Sequence, residues 1–260
     1  MDSERTQSFV GSPYALELKG VGRTFGALMA LKDVSLKVLT GERRAVLGAN
    51  GAGKTTLFNT ITGDFPPTSG RIMFFGEDIT GLPPHERIRR GLRRTYQNSL
   101  LFTNLSVRDN LLLAQLGVTR GRYSFRRPSA DDPAVEQTEN IARYVNLERT
   151  LDLTVSALAH GQQRQLEIGM ALAGAPRLLL LDEPAAGLSA GERGDLVSML
   201  NGLPKHIGFI IIEHDLDIAL RVAEQVTIMH IGSVFKEGSP SEIQKDPDVQ
   251  NIYLGEDNHR

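Results

Sequence analysis

The stretch Gly48-Ala49-Asn50-Gly51-Ala52-Gly53-Lys54-Thr55 constrains this chain more than any other segment. It has the form G-x-x-x-x-G-K-[ST], follows a compact apolar run and precedes a helical pattern, TTLFNTIT. The glycines let the backbone curl so that successive N–H groups converge on one point. The helix behind them adds the positive end of its dipole. Such a loop is built to cradle nucleotide phosphates. Lys54 reaches the β- and γ-phosphates as a point charge, and the Thr55 hydroxyl serves Mg²⁺. Gly48, Asn50, Gly51, Ala52, Gly53 and Thr56 complete the expected phosphate-binding set. Nucleotide binding follows from this loop, but the reaction does not, because kinases, GTPases and motor ATPases share it.

A second element narrows the chemistry. Four leucines at 178–181 run into Asp182-Glu183-Pro184. Consecutive apolar residues suit a central parallel strand buried on both faces, and ligands of such sheets sit at the C-terminal strand ends. Asp182 is placed to hold Mg²⁺, and Glu183 to accept a proton from an attacking water or to orient it. An acid beside the metal ligand favours hydrolysis over phosphoryl transfer to another molecule. The plainer alternative is that the two acids merely cap a turn before Pro184.

Composition excludes several classes. Among 260 residues, 29 Lys and Arg stand against 31 Asp and Glu, unlike the strongly basic balance of a dedicated nucleic-acid module. The absence of Cys leaves no disulfide, thiolate metal site or thiol nucleophile. The apolar runs at 178–181 and 209–212 fall far short of the roughly 20 residues a membrane span needs. The start, MDSERTQSFVGSP, does not have the form of a signal peptide, so an intracellular soluble chain is expected. His85, His160, His206, His214, His230 and His259 are scattered and match no metal-ligand motif.

Hydrophobic periodicity predicts short half-buried strands around Leu16/Leu18 and Val34/Leu36/Val38, and further strands at 44–47 and 71–75. Helical spacing prevails over 84–172, in HERIRRGL, VRDNLLLAQL, PAVEQTENIARYV and QQRQLEIGMALA. Strand and helix then alternate through LLLLDEP, 190–203, FIIIEH and 215–222, and two β-type segments meet near Gly232. The expected fold is an α/β phosphate-loop NTPase core with an N-terminal antiparallel β subdomain and an inserted α-helical subdomain at about 84–172. Residues 1–13 are expected to be a flexible extension, 14–256 one domain and 257–260 a tail.

Between the two phosphate-site motifs lies Leu158-Ala159-His160-Gly161-Gln162, which resembles the Leu-Ser-Gly-Gly-Gln signature of ABC transporter ATPases. Further features agree in order: Phe25 at the family's adenine-stacking aromatic, Gln97 at its glutamine loop, Gly187-Leu188-Ser189-Ala190 at its D-loop and His214 at its switch histidine. The likeness covers about 14–256, and the ordered set is far more specific than any member alone. GQQRQLEIGMALA, LLLLDEPAAGLS, IIIEHDLDIAL and the ending IYLGE look like the ATPases of branched-chain amino acid importers. Urea and short-amide importers of the same group come next, then lipopolysaccharide-export ATPases.

The resemblance implies ATP and Mg²⁺ as ligands, and two ATPase domains paired head to tail. Phe25 would stack the adenine, Thr55, Gln97 and Asp182 would manage the metal, Glu183 would act on the water, and His214 would contact the γ-phosphate. Ala159, His160, Gly161 and Gln162 would act in trans on the partner's ATP. Implied partners are two transmembrane permease subunits, one loop of which docks near Gln97, a second ATPase subunit and an extracytoplasmic solute-binding protein. The expected location is peripheral, on the cytoplasmic face of the cell (inner) membrane. Ala159 and His160 depart from the signature's usual serine and glycine. The lost hydroxyl removes one hydrogen bond to phosphate, worth about 1.5–3 kcal/mol if charge-assisted. This tilts the expectation towards a heterodimer, although a tolerated substitution remains the alternative.

Arg87, Arg89, Arg90, Arg93 and Arg94 crowd before Gln97, and Arg120, Arg122, Arg126 and Arg127 form a second basic cluster. Both read as permease-docking, anionic-lipid or nucleic-acid surfaces, or as solvated charge. The rival to a transporter subunit is a soluble ABC ATPase acting on ribosomes or DNA. Such proteins usually carry two cassettes or a long coiled coil, whereas this sequence shows one phosphate loop and no heptad run, so nucleic acid is not expected as a partner.

Overall fold

Alternation decides the first pair of strands. In β1 (Tyr14–Phe25) the side chains of Leu16, Leu18 and Val21 are buried, and in β2 (Leu28–Leu39) those of Val34, Leu36 and Val38. The computed structural model describes residues 12–96, 100–118 and 132–254. β1 pairs antiparallel with β2 and with β4 (Ser69–Phe74), and β4 carries the two-residue β5 (Glu77–Asp78) at its outer edge.

The second sheet has the order β10-β9-β3-β8-β7-β6. Its strands are β3 (Arg43–Leu47), β6 (Leu92–Arg94), β7 (Leu178–Asp182), β8 (Gly208–Ile212), β9 (Gln225–His230) and β10 (Ser233–Gly238). Every neighbouring pair is parallel except β9 with β10. The leucine run of β7 is buried on both faces because successive side chains point to opposite sides. Leu178 and Leu180 enter the core shared with the antiparallel sheet and α1 (Lys54–Thr62), while Leu179 and Leu181 enter the core under the other helices. Phe209 and Ile211 of β8 side with the latter, Ile210 and Ile212 with the former. Full burial of each such side chain contributes about 1.5–3 kcal/mol.

The helix α2 (Pro84–Arg89) precedes β6. Three longer helices, α3 (Val107–Val118), α4 (Pro133–Tyr144) and α5 (His160–Leu172), pack on one another through Leu111, Ile141, Val145 and Ile168. Gly169 lets α5 approach closely, since a Cβ there would stand 3.0 Å from Leu111 and 3.2 Å from Val145. The chain then forms α6 (Ala190–Gly202), α7 (Leu216–Val222), α8 (Pro240–Lys245) and α9 (Pro247–Leu254).

Two sequence expectations change here. The segment HERIRRGL is not one helix: Gly91, at φ 97°, ends the turn after α2, and Leu92–Arg94 become the edge strand beside β7. A helical reading missed this because a three-residue strand is too short to show periodicity. The arginines of that segment are also not a basic surface. Arg87 is 1% exposed and donates to the carbonyls of Thr60, Ile61, Thr80 and Leu82, two of them in the last turn of α1. The side chains of Arg93 and Arg94 are buried as well, leaving Arg89 and Arg90 towards solvent. The second cluster, Arg120, Arg122, Arg126 and Arg127, lies outside the described residues.

Candidate nucleotide site

The phosphate loop has the curl its glycines allow. Gly48, at φ 149°, passes against the Met229 carbonyl so closely that any Cβ would overlap that oxygen. Gly53, at φ 102°, caps α1, and a Cβ there would lie 2.8 Å from the Ala30 carbonyl. The Lys54 ammonium is turned into the loop, donating to the Gly48 and Ala49 carbonyls at 2.5 and 3.0 Å. A cavity of about 670 Å³ opens over this loop, within the size range of small-molecule sites. Its lining joins residues 50–56 to Glu183, His214, Gly232 and the tip of the β1–β2 hairpin.

Two strand ends aim acid and imidazole into that space. Glu183, the residue after β7, adopts φ 49°, a left-handed conformation rare for a side-chain-bearing residue. Its N–H is anchored to the Ile212 carbonyl at 2.9 Å, which holds the strained turn in place. The Glu183 carboxylate meets His214 Nε2 at 2.7 Å. Glu183 and His214, 31 positions apart in sequence, thus form one constellation facing the phosphate loop.

Asp182, one residue earlier, is 1% exposed. Its Oδ2 accepts from Arg94 Nη2 at 2.6 Å, while its Oδ1 is buried with no hydrogen-bond partner among the described residues. A free, buried carboxylate oxygen fits a metal-water contact. Thr55 lines the phosphate-loop cavity and Asp182 does not, standing one residue behind Glu183, which does; one carboxylate with one hydroxyl would be the sparse protein donor set that Mg²⁺ uses when phosphates supply the remaining ligands. No cluster of three or more His, Cys, Asp or Glu suited to a metal occurs among the described residues.

Phe25 is 37% exposed and packs edge-on against Phe65, with ring centroids 5.4 Å apart and the Arg23 guanidinium 4.5 Å from its own ring. It is not in the cavity lining, which at this end consists of Ala27, Leu28, Met29 and Ala30. Gln97 lies outside the described residues. The signature residues are elsewhere: Ala159 caps α5, and Ala159, Gly161 and Gln162 line a separate cleft of about 180 Å³ with Leu188 and Glu192. His160 begins α5, and its ring lies 3.2 Å from where a Gly187 Cβ would stand. Nothing of the signature reaches the phosphate-loop cavity of the same chain.

Residues 31–186 match the ABC transporter family, more than half of the chain. The chain belongs to the ABC transporter ATPase family. Residues 237–259 of this cassette match a second family, described as a branched-chain amino acid ATP-binding cassette transporter. The high-affinity branched-chain amino acid transport ATP-binding protein BraF of Pseudomonas aeruginosa is 38% identical over 249 residues, covering 93% of this chain and 98% of BraF. LivG of Escherichia coli, described in the same words, is 35% identical over 251 residues with the same coverage. Among solved structures, the ADP conformation of MJ1267, an ATP-binding cassette of an ABC transporter, superposes with a TM-score of 0.83 at 32% identity. That match covers 94% of this chain and all of MJ1267.

Three features of the cassette escaped sequence reasoning. Arg94 reads there as part of a basic run, yet its partner is Asp182, 88 positions away. Glu213 is 3% exposed, directly before His214, and accepts from the Ala185 N–H at 2.8 Å. Burial, the bonds with the Ala185 and His214 N–H groups, and the nearby charges of Glu183 and Asp215 together leave its carboxyl raised to about 7, burial dominating. Glu192 accepts from the Ser189 hydroxyl and N–H and from the Gly161 N–H at 3.0 Å, which holds its carboxyl below the usual range, the Ser189 hydroxyl contributing most. An acid adjoining His214 and an acid three residues into a helix were the only available signals.

Proposed function

We propose that this chain is the ATP-hydrolysing subunit of an ABC importer for branched-chain or related amino acids, seated peripherally on the cytoplasmic face of the membrane. The observation that carries the reading is the convergence of the phosphate loop, Glu183 and His214 on one cavity, while the signature occupies a separate face. A cassette so arranged completes its site with a second cassette, each signature meeting the other's nucleotide. The descriptions of BraF and LivG, and the match at 237–259, supply the transported class. Among the described residues no helix is long and apolar enough to cross a membrane, so translocation falls to partner permeases. The apolar cleft of about 250 Å³ between β6 and the helices, lined by Ile88, Tyr96, Leu100, Leu101 and Met170, is the surface assigned to a permease loop.

In this reading the loop N–H groups and Lys54 bind the phosphates, and Phe25 would stack the adenine, although it stands outside the lining of the cavity. Thr55 and Asp182, with Gln97, would hold Mg²⁺, which when bound neutralises charge on the β- and γ-phosphates. Glu183 accepts the proton of the attacking water, and its bond to His214 fixes the direction in which the carboxylate points. His214 then contacts the γ-phosphate, and loss of that contact after hydrolysis releases the closed dimer. Ala159 leaves the trans site one hydroxyl short, so a second ATPase subunit with a full signature is the favoured partner.

Replacement of Glu183 by Gln is expected to retain ATP binding and lower hydrolysis by about 10²–10⁴-fold, the usual contribution of a general base. Unchanged turnover would remove Glu183 from that role. The assembly is tested by extracting a tagged copy gently from the native membrane. Two multi-span permeases, with ATPase activity stimulated by leucine, isoleucine or valine, are expected. Stimulation by urea or short amides instead would reassign the cargo, and recovery with ribosomes or DNA-bound proteins and no permease would overturn the importer reading.

A further inference from the structure

We propose that Arg94 is a positioning residue of the hydrolysis site, which pins Asp182 Oδ2 so that Oδ1 alone is presented to the metal accompanying the nucleotide. The proposal rests on the reading of Asp182 as a metal ligand. Arg94 stands on β6 opposite Leu180 of β7, two residues short of Asp182 along that strand. Its guanidinium is held from several sides. Nη2 meets Asp182 Oδ2 at 2.6 Å, and Nη1 meets Asn59 Oδ1 at 2.5 Å and Asp64 Oδ2 at 3.3 Å. The ring of Tyr96 lies 4.9 Å away and that of Phe58 5.6 Å. With its side chain 4% exposed, Arg94 has little room to reorient.

The consequence falls on Asp182. A carboxylate turns readily about its last torsion, and its two oxygens are interchangeable ligands. Locking one of them in a charge-assisted hydrogen bond removes that freedom and leaves Oδ1, which has no partner among the described residues, as the only donor available. Partners that orient a metal ligand in this way typically set about 10–100-fold in metal affinity. Asn59 and Phe58 belong to α1, which begins at Lys54, so Arg94 also ties the phosphate-loop helix to the strand of the metal ligand. A lysine could keep the charge but not the planar two-armed grip on Asp182 and Asn59.

The test measures the affinity of the full chain for a fluorescent ADP analogue, in excess EDTA and again in Mg²⁺. The chains compared are wild type, Arg94→Gln, Arg94→Lys, Asp182→Asn and the double variant. The wild type is expected to bind more tightly with metal. Arg94→Gln should bind equally in EDTA and lose about tenfold or more of the metal-dependent gain, and Arg94→Lys should recover only part of it. On the Asp182→Asn background, Arg94→Gln should cost no further metal dependence, because its effect runs through that carboxylate. Mn²⁺ in place of Mg²⁺ gives a second readout, as a broadened bound-metal resonance that sharpens in Arg94→Gln. If Arg94→Gln keeps the full gain, or if the two losses add, Arg94 is only a structural ion pair and the inference fails alone. A wild type that binds no nucleotide in either condition overturns the nucleotide reading and this inference with it. Should Arg94→Gln not fold, Asn59→Ala removes one hold on the guanidinium, and the same loss of metal dependence, smaller in size, is required.

Discussion

At Glu213 a carboxyl group lies buried at the end of β8, between the phosphate-site acids and the turn that follows them, with Ala185 donating to it. Its raised value of about 7, against 4.5 for a free glutamate, means the fold favours the protonated form. The unfolded chain gives up that proton near 4.5 and the folded chain only near 7. Folding stability is therefore unpenalised below about 4.5, falls as pH rises between the two values, and carries the full cost above 7. The full cost is on the order of 3 kcal/mol. Glu213→Gln keeps an acceptor for the Ala185 N–H and removes the titration. It should raise the melting temperature by several degrees at pH 8 and hardly change it at pH 4.5, as read by thermal unfolding across that range. A gain that is independent of pH would show that Glu213 does not titrate in this window. The neighbouring acid, Glu183, shows what the sequence conveyed: its place after the buried strand was legible, but its left-handed backbone and its bond to His214 were not.

At the level of elements, α1 and α5 show how helix ends are satisfied. The last turn of α1 is closed by Arg87, whose guanidinium satisfies carbonyls that the helix cannot. Burial pulls that guanidinium down to about 10, which still leaves it charged at neutral pH. Arg87→Ala should destabilise the cassette by on the order of 3 kcal/mol, because it strands buried carbonyls beneath the phosphate loop. Denaturant unfolding would measure it, and a change below about 0.5 kcal/mol, the size typical of ordinary surface substitutions, would contradict the assignment. The N-terminus of α5 is only half capped: Gln162 accepts from the Ala159 N–H, and alanine offers nothing in return. Ala159→Ser completes the reciprocal pair and is expected to add about 1 kcal/mol of stability. If the hydroxyl also reaches a partner's phosphate, ATP-driven dimerisation of the Glu183→Gln background should strengthen as well. Stability without tighter dimerisation would mark the alanine as a tolerated change.

For the whole molecule, the phosphate-loop cavity and the signature cleft are separate, and on the proposed head-to-tail reading one chain would hold two halves of different sites. Glu183→Gln, which traps nucleotide, should therefore show an ATP-dependent rise in mass by light scattering, with this chain alone or with a partner ATPase. Lys54→Ala should abolish it by losing the phosphates. A Glu183→Gln protein that stays monomeric in both situations with bound ATP would argue against the head-to-tail arrangement.

The sequence by itself determined the linear motifs, since the phosphate loop, the leucine strand with its two acids and the ordered set from Phe25 to His214 depend on local backbone geometry and spacing. It also determined the alternation that buries Leu16 and Val34, and the α/β class, because side-chain period is a local property. Tertiary structure decided what those motifs touch. That 92–94 form a strand depends on the open edge of β7, and that Arg94 is buried on Asp182 rather than solvated depends on two segments 88 positions apart. Phe25 faces Phe65 and Arg23 because of how the first hairpin packs, which no local pattern encodes. A charge in a sequence carries no mark of burial. Whether an arginine meets solvent, a helix end or a carboxylate is settled only when distant strands close over it, at a desolvation cost that a suitable partner must offset.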